Sequence, residues 1–376
     1  MGGMNRITAD TPCLALDTEF VWTKTYYARL GLVQAAPSGG FDRARLPVAA
    51  LPFRPRDPRE AEAILIDPLR SDPAPLRAVL EDAATVKLLH DAHQDLQHLS
   101  RWTGGARPRA VFDTRLAAGF CGLPSTLSLA KLVEETCGVV LPKTETRTDW
   151  CRRPLTPEQL EYAAQDVVYL AEAAAELLRR ADAFGTTAWL LEEMDALDDP
   201  SRYAEASLEE AARKVKAPPF LLRDPDRARR FRALATWREG EARRRDLPRK
   251  WVADDRVLVD LAARPPAGPG DFPPRSVSPA FREGCLAALR ACEEAPFALV
   301  SEEPRRDVEA LRRAKDRATA LLAEIARRAE PLHVDPALFG SRAEITEYVL
   351  DPDNPRHPLN RGWRREAMGA ALRAAR

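Results

Sequence analysis

The sequence predicts an α/β domain built on one central sheet, followed by helical blocks. Three observations carry that prediction. In the first half, short apolar runs alternate with stretches whose apolar residues recur at helical spacing. After about Thr186 the strand-like runs stop. At 376 residues the chain exceeds one ordinary core, so two or three domains are expected.

The strand candidates are Leu14–Leu16, the run RLGLVQ from Arg29, AILID from Ala63, VKLLH from Val86 and AVFDT from Ala110, each bounded by turn residues. Between them, APLRAVLEDA from Ala74 and DLQHLSRW from Asp95 have helical spacing. The stretch from Ala35 to Arg59, rich in Pro, Arg and Gly without periodicity, reads as an extended surface loop. Further on, WLLEEMDAL is a helix leading out of the first domain, and VKAPPFLLRDPDR is a linker with a Pro-Pro break. A first helical block spans about Leu222 to Val300 and is split by ARPPAGPGDFPPRSVSP, whose six prolines exclude a continuous helix. A second runs from about Pro304 onward and holds the long helix RDVEALRRAKDRATALLAEIARRAE. The resulting division is 1–185 for the α/β domain, 186–221 for a helical linker, and 222–300 and 301–376 for two small all-α domains.

Composition narrows the function classes. Hydrophobic residues at 45% and charged residues at 30% describe a soluble globular protein. No apolar run reaches the ~18 residues of a spanning helix, and the start MGGMNRITADTPCLALD lacks the pattern of a secretory leader, so a cytoplasmic location is expected. The six cysteines form no C-x-x-C pair and read as small buried hydrophobes. His90 and His93 lie close together, but two histidines do not complete a zinc site. Net charge is zero, yet Arg223 to Arg256 carries a local surplus of five positive charges, which is either a solvated helical surface or a nucleic-acid contact.

The first strand raises the functional question. Its apolar start runs into Asp17 and Glu19, two residues apart and therefore on one face. Like charges placed so are costly unless a cation lies between them. Asp95 falls in the first turns of a helix that follows a strand ending near His90. In PLTPEQLEYAAQDVVYL, Thr156 is a good N-cap, Pro157 suits the first helical position and Gln159 completes a capping box. That helix stacks Tyr162 and Asp166 on one face beside the apolar Leu160, Ala163, Val167 and Leu170. Each feature alone is common; their order along one chain is not.

With these motifs in view, the chain resembles the ribonuclease D family of 3′–5′ exonucleases, whose site combines four acids and a tyrosine. The resemblance lies in LDTEFVWTKTYYARLGLVQ, IDPL, LLHDAHQDL, VFDTRLAAGFCG, VEETCGVVLPKTETRTDWCRRPLT and YAAQDVVYL, in the family's order. LATWREGEARRRDLPRKWVADDRVLVDLA is similar to the first turns of an HRDC domain, and the last block resembles a second HRDC domain less closely. The resemblance implies a ribonuclease H-like mixed sheet with flanking helices, with Asp17, Glu19, Asp95 and Asp166 as ligands of two divalent cations, Mg²⁺ or Mn²⁺. It implies that Tyr162 orients the attacking water. Asp113 in VFDTRL mimics the first motif but lacks the second carboxylate, and reads as a turn or helix-capping residue. The family joins the relevant strands by a short hairpin, so Ala35–Ala63 is an insertion.

The chemistry suits this set. Phosphodiester hydrolysis builds negative charge that two divalent cations about 4 Å apart can stabilise, and oxygen-only ligands favour Mg²⁺ or Mn²⁺. The phenol of Tyr162, with an ordinary pKa near 10, suits positioning better than strong base catalysis. Candidate RNA contacts are Phe20 and Tyr27 by stacking, and Lys143 and Arg147 on phosphates. Trp150 and Phe20 read equally well as packing residues. In the first helical block Arg243, Arg244, Arg245, Arg249 and Lys250, beside Trp251, form a candidate phosphate-binding surface. The family implies RNA with a free 3′ end as substrate, above all tRNA precursors, handled by a monomer without an organic cofactor. The competing readings are a DNA-directed exonuclease and a catalytically silent RNA-binding protein; the full set of acids and tyrosine argues against the second.

Overall fold

The computed structural model describes residues 11–142, 148–272, 278–294 and 308–374. The α/β part runs β1 (Cys13–Val21), β2 (Arg29–Ser38), β3 (Ile64–Ile66), α1 (Ala74–Glu81), β4 (Val86–Leu89), α2 (His93–Trp102), β5 (Val111–Asp113), α3 (Thr114–Ala118), α4 (Leu129–Cys137), α5 (Pro157–Val168), α6 (Leu170–Phe184) and α7 (Thr187–Asp195). The remainder is helical: α8 (Leu208–Arg213), α9 (Pro219–Leu222), α10 (Pro225–Arg245), α11 (Arg249–Val252), α12 (Asp255–Ala263), α13 (Pro279–Glu294), α14 (Val308–Ala329), α15 (Arg342–Leu350) and α16 (Gly362–Ala374).

The five strands lie in the order β3-β2-β1-β4-β5. β1 runs parallel to β4 and β4 to β5, whereas β2 and β3 are antiparallel, so the sheet is mixed as expected. β1 occupies the middle, which is why Leu14, Ala15 and Leu16 are all buried rather than alternately so. The strand runs past its apolar start to Val21 and keeps both of its acids within the sheet.

The segment expected as a surface loop from Ala35 is partly sheet. β2 persists to Ser38, and residues 49–51 run along the outer edge of β3: Ala50 bridges Ile66, the Leu51 amide donates to the Leu65 carbonyl at 2.8 Å, and the Asp67 amide donates to that of Ala49 at 3.3 Å. β3 ends the sheet, and its unpaired backbone groups supply the reason.

The chain divides into two compact units. The first gathers Met1–Val21, Leu30–Ala204 and Arg306–Arg376. The described part of the last block joins the core of the α/β domain: Trp363, fully buried, meets Phe120 and Phe339 at ring separations of 4.9 Å. Around it, the Trp363 indole donates to Glu193 Oε2 at 2.8 Å, Arg364 Nη1 donates to the same oxygen at 2.7 Å, and Glu192 accepts from the Trp363 amide at 3.0 Å. Gly362 has φ of 54°, and a Cβ there would collide with Glu192, so only glycine fits this turn.

The second unit comprises Trp22–Arg29 and Glu205–Arg305. Its core holds Phe231, Leu234, Leu258, Phe272, Phe281 and Cys285. Within it, the Tyr26 hydroxyl donates to the buried Glu239 and accepts from Arg243 Nε at 3.1 Å and Arg249 Nη2 at 3.0 Å. Burial, then the Glu239 carboxylate, pushes the Tyr26 phenol up to about 12.

Burial opposes the charge of Glu193, but the adjacent Arg364 guanidinium and the Trp363 indole hold its carboxyl below the usual range. Removing one member of such a pair strands the other. Glu193→Ala should therefore lower unfolding stability by about 3 kcal/mol, read as a shift of the urea midpoint; exposed Arg327→Ala should leave it nearly unchanged.

Candidate active site

The positions of the acids follow from local backbone rules. On β1, strand alternation sets Asp17 and Glu19 on one face, with Thr18 buried between them. On α5, the Thr156–Gln159 capping box is present in both directions, with the Thr156 amide donating to Gln159 Oε1 at 2.9 Å and the Gln159 amide to Thr156 Oγ1 at 3.2 Å. Tyr162 and Asp166 follow one turn apart, and their side chains are hydrogen-bonded. Asp95 lies in the first turn of α2.

Asp17, Glu19 and Asp166 each bring a carboxylate oxygen within 4.8 Å of the others. Asp95, which is buried, stands beside them and accepts a hydrogen bond of 2.5 Å from Thr18 Oγ1. The electrostatics mark all four as one cluster. Burial first, then Asp95, Asp166 and Glu19, holds the Asp17 carboxyl well above the usual range. Burial, then Asp166 and Asp95, pushes Glu19 up to about 9. Burial pushes Asp95 and Asp166 up to about 7, against the opposing hydrogen bonds from Thr18 and Tyr162 respectively. The Tyr162 phenol is raised by burial and by Asp166, Glu19 and Asp17, so it stays protonated and keeps both its donor and its acceptor.

Two further devices shape the site. Trp150 is buried at 6.1 Å from the Tyr162 ring, and its backbone approaches β2 so closely that a Cβ on Gly31 would stand 2.6 Å from the Trp150 carbonyl oxygen. Arg153 locks that approach: Nη2 donates to the Gly31 carbonyl and to Asp67 Oδ1, both at 2.7 Å, and Nη1 donates to the Trp150 carbonyl at 2.8 Å. Asp113 caps α3, accepting from the amides of Arg115 at 2.8 Å and Leu116 at 3.3 Å. It also accepts from the amides of Asp91 at 3.1 Å and Ala92 at 2.9 Å, fixing the turn that launches α2 where Asp91 has φ of 63°. It is a turn-and-cap residue, as the missing second carboxylate suggested.

His98 is the residue the sequence reading missed. Its Nδ1 lies 3.3 Å from Thr18 Oγ1, the hydroxyl that holds Asp95. Burial pushes its imidazole down to about 4. The hydroxyl proton goes to Asp95, so Nδ1 is the donor to Thr18. The signal was the spacing: His98 is one helical turn beyond Asp95. His90 and His93 part company, His90 reaching Thr114 and the Leu127 carbonyl, each at 3.0 Å, while His93 is exposed beside Gln97.

The expected RNA contacts fall differently. Phe20 packs edge-on against His98 at 4.2 Å. Tyr27, in the second unit, donates from its hydroxyl to Glu205 at 2.8 Å. Lys143 and Arg147 lie outside the described residues. Arg243, largely buried, and Arg249, still exposed, both pair with Glu239, at 3.2 and 2.6 Å. Arg244, Arg245 and Lys250 remain on the surface, with Arg244 and Arg245 flanking Glu241, and Trp251 is exposed.

Known proteins resemble this chain in sequence and fold. The family model described as 3′-5′ exonuclease matches residues 4–182, and the HRDC domain model matches 227–273. A ribonuclease D from Desulfotalea psychrophila is 37% identical over 94% of this chain and 90% of its own length. The chain belongs to the ribonuclease D family. Ribonuclease D from Escherichia coli is 33% identical over 96% of this chain and 92% of its own length. The crystal structure of Escherichia coli RNase D, described as an exoribonuclease involved in structured RNA processing, aligns with a TM-score of 0.78 and 30% identity, covering 98% of this chain and 93% of that one. The family activity is 3′–5′ exoribonuclease, and this chain is such an enzyme. Among the described residues no helix is long and apolar enough to cross a membrane.

The donor set is oxygen-only and carboxylic, half-buried at Asp17 and Glu19 and buried at Asp95 and Asp166, which fits divalent cations. A carboxyl whose folded pKa is raised retains protons that the unfolded chain has lost. Its contribution to stability is therefore greatest below the ordinary carboxylate range and declines as pH rises through the folded value. Without metal, the melting midpoint should fall between about pH 5 and about pH 9, and saturating Mn²⁺ should reverse most of that fall at the upper end while releasing protons. Scanning fluorimetry across pH, with and without Mn²⁺, checks both; a flat metal-free profile would contradict the cluster's electrostatics.

Proposed function

We propose that this enzyme trims 3′ extensions from tRNA precursors and other structured RNAs, releasing 5′-nucleotides, with Asp17, Glu19, Asp95, Tyr162 and Asp166 as its catalytic residues. The observation that carries the reading is the convergence of the Asp17, Glu19 and Asp166 carboxylates, with Asp95 electrostatically coupled to them and a protonated tyrosine beside them, on a chain related to ribonuclease D over nearly its full length. The relative from Escherichia coli is described as acting in structured RNA processing, which supports this substrate class.

In this reading Asp17, Glu19, Asp95 and Asp166 hold two cations, Mg²⁺ or Mn²⁺. Bound there, such cations supply charge neutralisation at phosphorus and activation of water. The protein's own groups do the rest. Thr18 and His98 hold Asp95 in its orientation. Tyr162, its one hydroxyl proton held by Asp166 and unable to ionise, offers its phenol oxygen as the acceptor that aims the nucleophilic water. The domain organisation we favour is a catalytic domain at 1–185, a linker at 186–221, an HRDC domain at 222–300 and a second HRDC-like block at 301–376. Of the surface groups in the HRDC region, Arg244, Arg245 and Lys250 are our proposed backbone contacts. We place the enzyme in the cytoplasm as a monomer.

The test is a tRNA transcript with a short 3′ extension, incubated with Mg²⁺ or Mn²⁺ beside DNA of matched sequence and RNA blocked by a 3′-phosphate. Stepwise shortening of the free-ended RNA alone is expected. Asp17→Ala should abolish it while RNA binding persists. Tyr162→Phe should slow it by about 10- to 100-fold. Efficient digestion of the DNA would replace this reading with a DNA-directed one.

A further inference from the structure

The connection between β2 and β3 does more than border the sheet. Its residues from 51 to 60 lie along the flank of α5 and its continuation. Arg56 Nε pairs with Glu161 Oε1 at 2.7 Å, and Gln165 Nε2 donates to Glu60 Oε1 at 3.0 Å. The Arg59 guanidinium sits 5.3 Å over the Tyr169 ring and 3.5 Å from Glu172. Glu161, Gln165, Tyr169 and Glu172 recur at intervals of four, four and three, a single stripe of helix surface. Tyr162 and Asp166 are each one residue further on, about 100° around the helix. The polar contacts of the segment thus grip the face beside the catalytic one.

An apolar contact completes the grip. Leu51 and Phe53 pack into the cluster that buries Leu32, Leu65 and Trp150 and includes Leu160 and Tyr162. Exposed ion pairs such as those of Arg56 and Arg59 contribute little, so the buried elements dominate. Glu60 is 2% exposed, and its second oxygen, Oε2, has no hydrogen-bond partner among the described residues. A carboxylate half-satisfied in the interior is a poor stabiliser; its one bond fixes the residue immediately before Asp166.

We propose that residues 51–60 are a positioning brace for α5, setting the reach of Tyr162 and Asp166 toward the acids of β1, with Glu60 and Gln165 as its contact point. The proposal rests on the exoribonuclease reading of those acids. The brace acts on the chemical step, not on RNA capture, because none of its residues belongs to the proposed RNA contacts.

The experiment uses the full chain and compares wild type, Glu60→Ala, Glu60→Gln and Gln165→Met for kcat and KM on a free-ended RNA, for Mn²⁺ affinity and for melting midpoint. Glu60→Ala and Gln165→Met should each lower kcat about three- to tenfold with KM nearly unchanged, and weaken Mn²⁺ by about tenfold. Glu60→Gln, which keeps an acceptor oxygen in place, should restore wild-type kcat. A wild-type kcat in Glu60→Ala and Gln165→Met, or a loss confined to KM, overturns the brace, as does failure of Glu60→Gln to recover. Should Glu60→Ala not fold, Gln165→Met decides alone, since it conserves volume and removes only the donor. If wild type shortens no RNA, the substrate reading falls and the brace stands or falls on Mn²⁺ affinity.

Discussion

Four carboxylates that repel one another have to be held together inside a protein, and much of the first unit is arranged around that constraint. No single element carries them. Asp17 and Glu19 ride on the central strand, Asp95 on the first turn of α2 and Asp166 near the end of α5. Each support is then stiffened from behind: β1 by strands on both sides, α2 by the amides that Asp113 collects, and α5 by its capping box. Burial, with the repulsion added to it, keeps protons on the acids at pH values where exposed carboxylates have lost them. A site so poised takes up cations because they relieve what the fold imposes.

The same economy explains the tyrosine. Buried and surrounded by acids, the phenol keeps its proton, and in the proposed function its role contracts to directional hydrogen bonding. Direction then depends on where the ring sits. Trp150 on one side and Leu51 and Phe53 of the β2–β3 connection on another define that position, so packing residues with no polar function govern a polar one.

Much of this was legible in the sequence because it is local. Two-residue alternation on an apolar strand, a capping box and four-residue spacing on a helix are set by backbone geometry within a dozen residues, and they place Asp17, Glu19, Tyr162 and Asp166 without tertiary information. Asp113 was separable from the ligands by the same logic, its missing neighbour. What escaped is nonlocal. Thr18 and His98 meet across 80 positions, and Glu60 and Gln165 across 105. Arg243 and Arg249 were read as available charges because the sequence does not show Tyr26 and Glu239 beneath them. The stretch after Ala35 lacked periodicity, and its pairing to an edge strand rests on only three residues.

The first unit is discontinuous, and Trp363 sits in its core against Phe120. During synthesis the sheet and its acids leave the ribosome long before that indole does. Until residues near 363 emerge, the nascent domain carries an open hydrophobic surface around Phe120 and Trp189, so its core closes late even though most of its elements are made early. The nuclease therefore matures only once the helical region between has been delivered, so an enzyme that would degrade RNA gains its finished core at nearly the same moment as its accessory helices.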